Sequence, residues 1–304
     1  MDLLVEPQLQ RSKKNFGFRL FPRERYVSLC YHDIFNFAMT EEEMKHFGVG
    51  KKVLKRFDFS RPRIISKVGK YFFLDGKMEN VWRRGLNEKA VKEKMSLARK
   101  VGVVLRLIPT IVFVGITGSL AMKNSNPESD IDLMIITKKD SLWLTRLITY
   151  TALTFWGYNY RKYGNSEEKD KLCLNMWLTE NNLEWDNENR NVFTAHEILA
   201  IAPLVNKKNI WEKFLKENEW YGEYWVNNLK PRNINYEKEK GLGKIVNEVI
   251  SYLINLGDMV AYIAQSVYMM GKITNEKVER RRAIFHPVNL SCEITVRFKS
   301  YGYI

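Results

Sequence analysis

Residues 113–137, FVGITGSLAMKNSNPESDIDLMIIT, constrain the fold of this chain more than any other stretch. An apolar strand is predicted to end at Gly118-Ser119, and ten residues follow before a second apolar run. Asp130 and Asp132 open that run and are separated by one isoleucine. Alternation along a strand places both carboxylates on one face and the isoleucine on the other. The segment therefore predicts two strands joined through a Gly-Ser turn, with paired carboxylates at the start of the second strand.

The paired carboxylates and the turn point to a metal and a phosphate. Two carboxylates as close as Asp130 and Asp132 repel each other unless a cation lies between them. Oxygen ligands favour Mg²⁺ or Mn²⁺. Gly118 allows close approach of the backbone, and Ser119 adds an N–H and a hydroxyl donor, which suits a phosphate. A phosphate-binding turn next to a carboxylate metal site is the arrangement that nucleotidyl transfer uses.

The same residues resemble the signature of the polymerase-beta-like nucleotidyltransferase superfamily, in which an apolar strand, Gly-Ser, a spacer of about this length and Asp-x-Asp follow one another. The resemblance implies that Asp130 and Asp132 are catalytic metal ligands. It also implies that Gly118 and Ser119 hold the β- and γ-phosphates of a nucleoside triphosphate. The order of elements is similar to that of uncharacterised prokaryotic proteins that join a winged-helix-like segment to a nucleotidyltransferase domain.

The superfamily resemblance leads us to expect a third carboxylate on a later strand, and this chain departs from that pattern. The strand KLCLNMWL places Asn175 at the matching position. An amide oxygen can ligate a metal, but it is uncharged and is a poor base. Glu180 or Glu197 could take its place, and the sequence does not choose between them. Lys138 and Arg146 follow the Asp-x-Asp strand and are predicted to reach the triphosphate. The alternative interpretation is ordinary surface charge for Lys138 and helix packing for Arg146.

Composition and cysteine spacing restrict the class of protein. The chain has 304 residues, of which 45% are hydrophobic and 13% aromatic, which is too apolar for a disordered chain. Cys30, Cys173 and Cys292 are far apart and match no zinc spacing, so we expect a reducing, cytoplasmic location. The first residues, MDLLVEPQLQRSKK, lack the apolar core of a secretory signal.

Positive charge is concentrated in the N-terminal third. Residues 1–110 carry 24 Lys+Arg against 12 Asp+Glu, whereas the rest of the chain carries 25 against 23. This bias suits nucleic acid, although a basic face also keeps a protein in solution. Residues 1–22 are predicted to be a basic, weakly ordered arm. The segment 23–80 is predicted to contain three helices and a hairpin, which is the order of a winged-helix-like domain. Such a domain either binds DNA through its third helix or packs on the catalytic domain. The basic residues of that third helix are Lys51, Lys52, Lys55 and Arg56.

The remaining chain is predicted to contain the nucleotidyltransferase domain at 81–188 and a mainly helical C-terminal region at 189–304. FTAHEILAIAPLV is predicted to be a helix that Pro203 ends, and residues 210–229 a further helix. Residues 245–271 form a long apolar helix, in which four polar residues favour packing within the protein over a membrane. The C-terminal tail is basic and partly strand-like. The predicted fold class is α+β, with a small mixed sheet as its core.

The sequence thus favours a cytoplasmic, Mg²⁺-dependent (or Mn²⁺-dependent) nucleotidyltransferase that transfers a nucleoside monophosphate from an NTP to a hydroxyl acceptor. The acceptor can be a protein, a nucleic acid or a small molecule. The alternative is a nucleotide-sensing regulator that binds DNA or RNA and has weak catalysis or none. A membrane-associated scaffold resting on residues 245–271 is the third and least favoured hypothesis, and no membrane is expected.

Overall fold

A computed structural model of the chain describes residues 13–162, 168–226, 244–270, 277–285 and 290–304. The α-helices in these ranges are α1 Arg23–Asp33, α2 Glu41–His46, α3 Lys51–Lys55, α4 Glu79–Arg106, α5 Gly118–Ala121, α6 Leu142–Phe155, α7 Val192–Ala200, α8 Ile210–Glu217, α9 Lys244–Met269 and α10 Leu290–Lys299. The strands are β1 Lys14–Phe16, β2 Met39–Thr40, β3 Ile65–Val68, β4 Tyr71–Leu74, β5 Ile111–Ile116, β6 Ile131–Thr137, β7 Leu172–Thr179, β8 Ala202–Asn206, β9 Lys277–Val278 and β10 Arg282–Ile284. Turns of 3₁₀ helix span Phe18–Leu20, Asn187–Asn189 and Glu219–Glu223.

The N-terminal elements follow the predicted order of three helices and a hairpin. The hairpin β3–β4 lies at the centre of a four-stranded antiparallel sheet with the order β1-β3-β4-β2. A capping box begins α2: Thr40 Oγ1 accepts from the Glu43 N–H, and the Thr40 N–H donates to Glu43 Oε2 at 2.8 Å. The arm prediction was wrong for residues 13–22, because β1 pairs with β3; residues 1–12 lie outside the described ranges.

The second sheet has six strands in the order β8-β5-β6-β7-β10-β9. The β6–β7 pair is parallel and the other neighbours are antiparallel, so the predicted α+β class and mixed sheet are confirmed. Three of these strands come from beyond residue 188, in the region predicted to be mainly helical. Pro203 does not end a helix as predicted; α7 ends at Ala200, and Pro203 lies in β8 at the edge of the sheet, where a missing N–H is tolerated.

The two faces of this sheet pack against different parts of the chain. Ile131, Leu133 and Ile135 share one apolar cluster with α4 and α6. Met134 and Ile136 point to the other face and share a cluster with α1, α2, α3, α7, α8 and α10. The N-terminal segment therefore shares an apolar core with the large sheet.

Two predicted elements of the C-terminal region differ from the structure. The helix predicted over 210–229 is interrupted at Asn218, whose side chain accepts from the Trp185 N–H at 2.8 Å and donates to the Leu183 carbonyl at 2.8 Å. A 3₁₀ turn follows, and the remainder lies outside the described residues. The tail predicted to be partly strand-like contains β10, but its last long segment is α10, with Ile294 and Phe298 buried.

The long apolar helix predicted over 245–271 corresponds to α9, Lys244–Met269, and two of its polar residues are directed into the protein. Asp258 Oδ1 accepts from the Trp143 and Leu144 N–H groups at the start of α6, at 2.6 and 3.0 Å. Gln265 Nε2 donates to the Trp143 carbonyl at 2.9 Å. Among the described residues, no helix combines the length and the apolar character that a membrane span requires.

Candidate metal centre

The Gly-Ser turn lies directly against the Asp-x-Asp strand. The Thr117 N–H donates to the Asp132 carbonyl at 3.0 Å, and Gly118 follows with a φ of +61°. A Cβ on Gly118 would lie 2.4 Å from Asp132 Oδ2, closer than any real contact. Glycine is therefore required at 118 both for its backbone conformation and for the space that the carboxylate occupies.

Three potential ligands converge at the start of β6. The ligand atoms of Asp130, Asp132 and Cys173 all lie within 4.8 Å of one another. Cys173 arrives there because β6 and β7 are parallel and Asp132 is opposite Cys173 in their register. The predicted pair of carboxylates is thus accompanied by a thiol, which the sequence pattern did not assign.

Asn175 reaches the same place through a β-bulge. Asp132 pairs with Cys173, but Met134 pairs with Met176, so β7 has one residue more than β6 over this interval. The extra residue brings Asn175 Nδ2 within 2.6 Å of Asp132 Oδ1. The side chain is buried, and its Oδ1 has no hydrogen-bond partner among the described residues. Rotating the amide by 180° would present this oxygen to a cation next to Asp132.

A guanidinium completes the cluster. Arg161 Nη1 donates to Asp130 Oδ2 at 2.8 Å and lies 3.9 Å from Cys173 Sγ. Its Nη2 lies 2.8 Å from Glu168 Oε1, and the side chain is half exposed. No sequence pattern predicts this role, because Arg161 comes from a loop 31 residues after Asp130 and its position depends on how the loop approaches β7.

Burial and neighbouring negative charge raise the pKa values of Asp132 and Cys173. Burial, then Asp130 and then Glu197 raise the pKa of Asp132 to about 7. Burial and the two aspartates also raise the pKa of the Cys173 thiol. The positive charge of Arg161 acts in the opposite direction and lowers the pKa of Asp132. The donor set of two carboxylates, an amide oxygen without a partner and a thiol fits a divalent cation.

The structure separates the two candidate replacements for the third carboxylate. Glu197 on α7 is close enough to Asp132 for its charge to affect the pKa of that residue. Glu180 follows the far end of β7 and accepts from the Lys139 N–H at 3.1 Å. Of the two acids, Glu197 is therefore the one near the candidate centre, whereas the atoms that lie within 4.8 Å of one another belong to Asp130, Asp132 and Cys173.

Gly118 and Ser119 lie with the aspartates, whereas the two predicted phosphate-binding cations do not. Lys138 follows the opposite end of β6, about 20 Å along the strand from Asp132. Arg146 belongs to α6, on the other face of the sheet, where Nη1 donates to Gln265 Oε1 at 2.5 Å and the guanidinium lies 4.8 Å from the centre of the Phe285 ring. The expectation failed because sequence distance from Asp132 says nothing about which end or face of a sheet a residue occupies.

The basic helix α3 packs against the rest of the protein along part of its surface. Lys52 Nζ donates to Glu223 Oε2 at 2.8 Å and lies 4.4 Å from the centre of the Tyr224 ring. The Gly50 N–H donates to the Tyr224 carbonyl at 2.6 Å. The other three basic residues that were predicted to contact DNA, Lys51, Lys55 and Arg56, are exposed.

Comparison of the sequence with protein-family models and with curated proteins gives no match.

Proposed function

We propose that the protein is a divalent-metal-dependent nucleotidyltransferase of the polymerase-beta-like kind, using Mg²⁺ or Mn²⁺. It would transfer a nucleoside monophosphate from an NTP to a hydroxyl group. The observation that carries the proposal is the contact between Gly118 and the Asp132 carboxylate. A turn that offers backbone N–H groups to phosphates and a carboxylate pair that fits a metal thus lie side by side.

Asp130 and Asp132 would hold the cation, with Cys173 Sγ and Asn175 Oδ1 as the further donors within reach. When bound, the cation would neutralise the triphosphate and the pyrophosphate leaving group. Gly118 and Ser119 would hold the β- and γ-phosphates through their N–H groups.

Transfer requires the acceptor oxygen to attack the α-phosphorus as the bond to pyrophosphate breaks. The proton of the acceptor hydroxyl must pass to a base, and the Asn175 amide is unsuited to that role. We assign the role of base to Glu197, because its charge contributes to the raised pKa of Asp132 and its side chain is 30% exposed. Arg161 can turn from Asp130 to a phosphate oxygen once the carboxylate is engaged by the cation.

The test is calorimetric binding of each NTP in the presence of Mg²⁺. The variant Asp130→Asn/Asp132→Asn should lose metal-dependent NTP binding and keep the fold. Glu88→Gln/Glu93→Gln makes the same change in net charge on the exposed face of α4 and should bind as the wild type does. Unchanged Mg²⁺-NTP affinity in the aspartate variant would contradict the proposal that Asp130 and Asp132 form the metal-nucleotide site.

A nucleotide-sensing regulator that binds DNA or RNA is the second candidate, and it is favoured by the uncharged Asn175 and by the ion pair between Arg161 and Asp130. In this case the N-terminal segment would be a winged-helix-like domain that contacts nucleic acid. Neutralising Lys51, Lys52, Lys55 and Arg56 should then reduce the salt dependence of DNA binding by about one counterion per lost phosphate contact. Neutralising the exposed Lys89, Lys92 and Lys100 of α4 is the control.

A reducing, cytoplasmic location is part of the proposal. It is supported by Cys30, Cys173 and Cys292, which form no disulfide with one another.

A further inference from the structure

The surface of α9 carries a continuous apolar stripe that faces solvent. Its members are between 48% and 74% exposed: Val249, Tyr252, Leu253, Leu256, Met259, Val260, Ile263, Val267, Tyr268 and Met270. Val249, Leu256, Ile263 and Met270 recur every seven residues, and most of the others fall three or four residues after one of these. On a helix this spacing gathers the side chains on one side, in the pattern by which two helices pack together.

The opposite side of α9 is already occupied. Asp258 and Gln265 bond to the first turn of α6, and Gly257 brings the two helices close, since a Cβ there would lie 3.3 Å from a Leu144 methyl. Ala261 and Met269 are buried in the same direction. The stripe is therefore a second apolar face, on the side of α9 away from α6, and its side chains are exposed.

We propose that the stripe, which runs from Val249 in α9 to Met270 directly after it, binds the same stripe of a second copy of this chain, so that the protein is a two-fold symmetric dimer. This inference does not rest on the proposed nucleotidyltransferase activity. A two-fold interface brings each surface against itself, so it tolerates no unpaired charge at its centre. Residues 249–270 contain one charged side chain, Asp258, and it is buried toward α6.

The size of the stripe agrees with a dimer. Ten side chains exposed by roughly half to three-quarters offer on the order of 1,000 Å², against about 800 Å² per partner in a standard stable interface. The 26-residue helix is about 39 Å long, enough for a paired helix of several turns. Helices that lie on membranes carry Lys and Arg on their polar face, whereas the other face of α9 packs against protein.

The test is the mass of the full-length chain in solution by light scattering after gel filtration, at micromolar concentrations. We expect twice the 36.0 kDa of one chain for the wild type. Val260→Lys should give the monomer mass, because it places a charge in the centre of the stripe. Val103→Lys is the matched control: Val103 on α4 is 65% exposed, against 61% for Val260, and its variant should stay dimeric.

A circular dichroism spectrum of Val260→Lys equal to that of the wild type shows that the fold is kept. A wild type that stays monomeric, or a folded Val260→Lys variant that stays dimeric, would overturn the proposal. So would a monomeric wild type that binds vesicles of phosphatidylcholine and phosphatidylglycerol through the stripe, since the occupant would then be lipid.

Discussion

Gly118 and Gly69 share a positive φ, +61° and +55°, but differ in their surroundings. A Cβ on Gly69 would meet nothing within 4 Å, whereas one on Gly118 would collide with the Asp132 carboxylate. Gly69→Ala should therefore cost only the backbone strain of about 1 kcal/mol. Gly118→Ala should in addition displace Asp132 and lower the rate of nucleotidyl transfer by about 100-fold. Urea unfolding and a transfer assay on both variants separate the two effects; equal transfer rates would contradict the role of Gly118.

Cys173 tests which atoms face the cation. Because thiolates prefer soft metals, Co²⁺ at this site should give a sulfur-to-metal charge-transfer band in the near ultraviolet. The band should disappear in Cys173→Ser and remain in Cys292→Ser, which removes an exposed thiol elsewhere. Absence of the band in the wild type would show that the cation is held without Cys173, by oxygen ligands alone. A band that survives in Cys173→Ser would show that another thiol supplies the sulfur.

At the scale of residues, the sequence predicted those parts of the site that are local. Gly118, Asp130 and Asp132 follow from strand alternation and turn chemistry within 25 residues. Cys173 and Arg161 do not, because their positions depend on the register of β7, the bulge at Asn175 and the course of a loop. Residues distant in sequence reach a site through pairing that no local pattern encodes.

Strands and helices with strong local patterns were predicted well, including the three N-terminal helices, the hairpin β3–β4 and the apolar α9. The errors lie where tertiary context overrides local preference. Pro203 is a sign of a helix end in isolation, yet the edge position of β8 accommodates it. The segment SCEITVRFK is rich in β-branched residues, yet α10 forms because Ile294 and Phe298 are buried on one side of it.

Asp258 caps a helix to which it does not belong. Ser141 at the start of α6 makes no side-chain capping bond, and Asp258 instead accepts from the Trp143 and Leu144 N–H groups. Asp258→Ala should lower the free energy of unfolding by about 1–3 kcal/mol, since it leaves buried N–H groups without a partner. Asp258→Asn keeps an acceptor and should lose less. Equal losses in urea unfolding for the two variants would contradict the capping role.

The whole molecule is held together by a core that runs from the N-terminal helices to the large sheet, and a histidine pair lies inside it. His32 Nδ1 must donate to the Ser28 carbonyl at 2.7 Å, which leaves its Nε2 to accept from His196 Nε2 at 3.1 Å. Both rings are buried. Burial and the neighbouring ring lower the pKa of His32, and burial lowers the pKa of His196 to about 3. The pair joins α1, in the predicted segment 23–80, to α7, in the predicted region 189–304.

This pair predicts how stability depends on pH. An unfolded histidine takes up a proton near pH 6.5, whereas the folded pair does not until much lower pH. The stabilisation that comes from keeping both histidines neutral should therefore be complete above pH 6.5. Below pH 6.5 the free energy of unfolding should decrease by up to about 1.4 kcal/mol per pH unit for each histidine. Urea unfolding at pH 7.5, 6 and 5 measures this slope. The control is His46→Gln, which removes a half-buried histidine outside the pair and should keep most of the pH dependence. A constant free energy of unfolding from pH 7 to 5 would contradict the neutral pair.

The central claim is that the Asp130–Asp132 cluster supports nucleotidyl transfer, and one measurement tests it most directly. The purified chain is incubated with each α-³²P-labelled NTP and Mg²⁺ or Mn²⁺, alone and with bulk RNA or cell lysate. The account predicts label on the protein, on RNA or on a lysate component, present with the wild type and Glu88→Gln/Glu93→Gln and lost with Asp130→Asn/Asp132→Asn. Absence of transfer under every condition, with NTP binding retained, would contradict the enzyme and leave the nucleotide-sensing regulator.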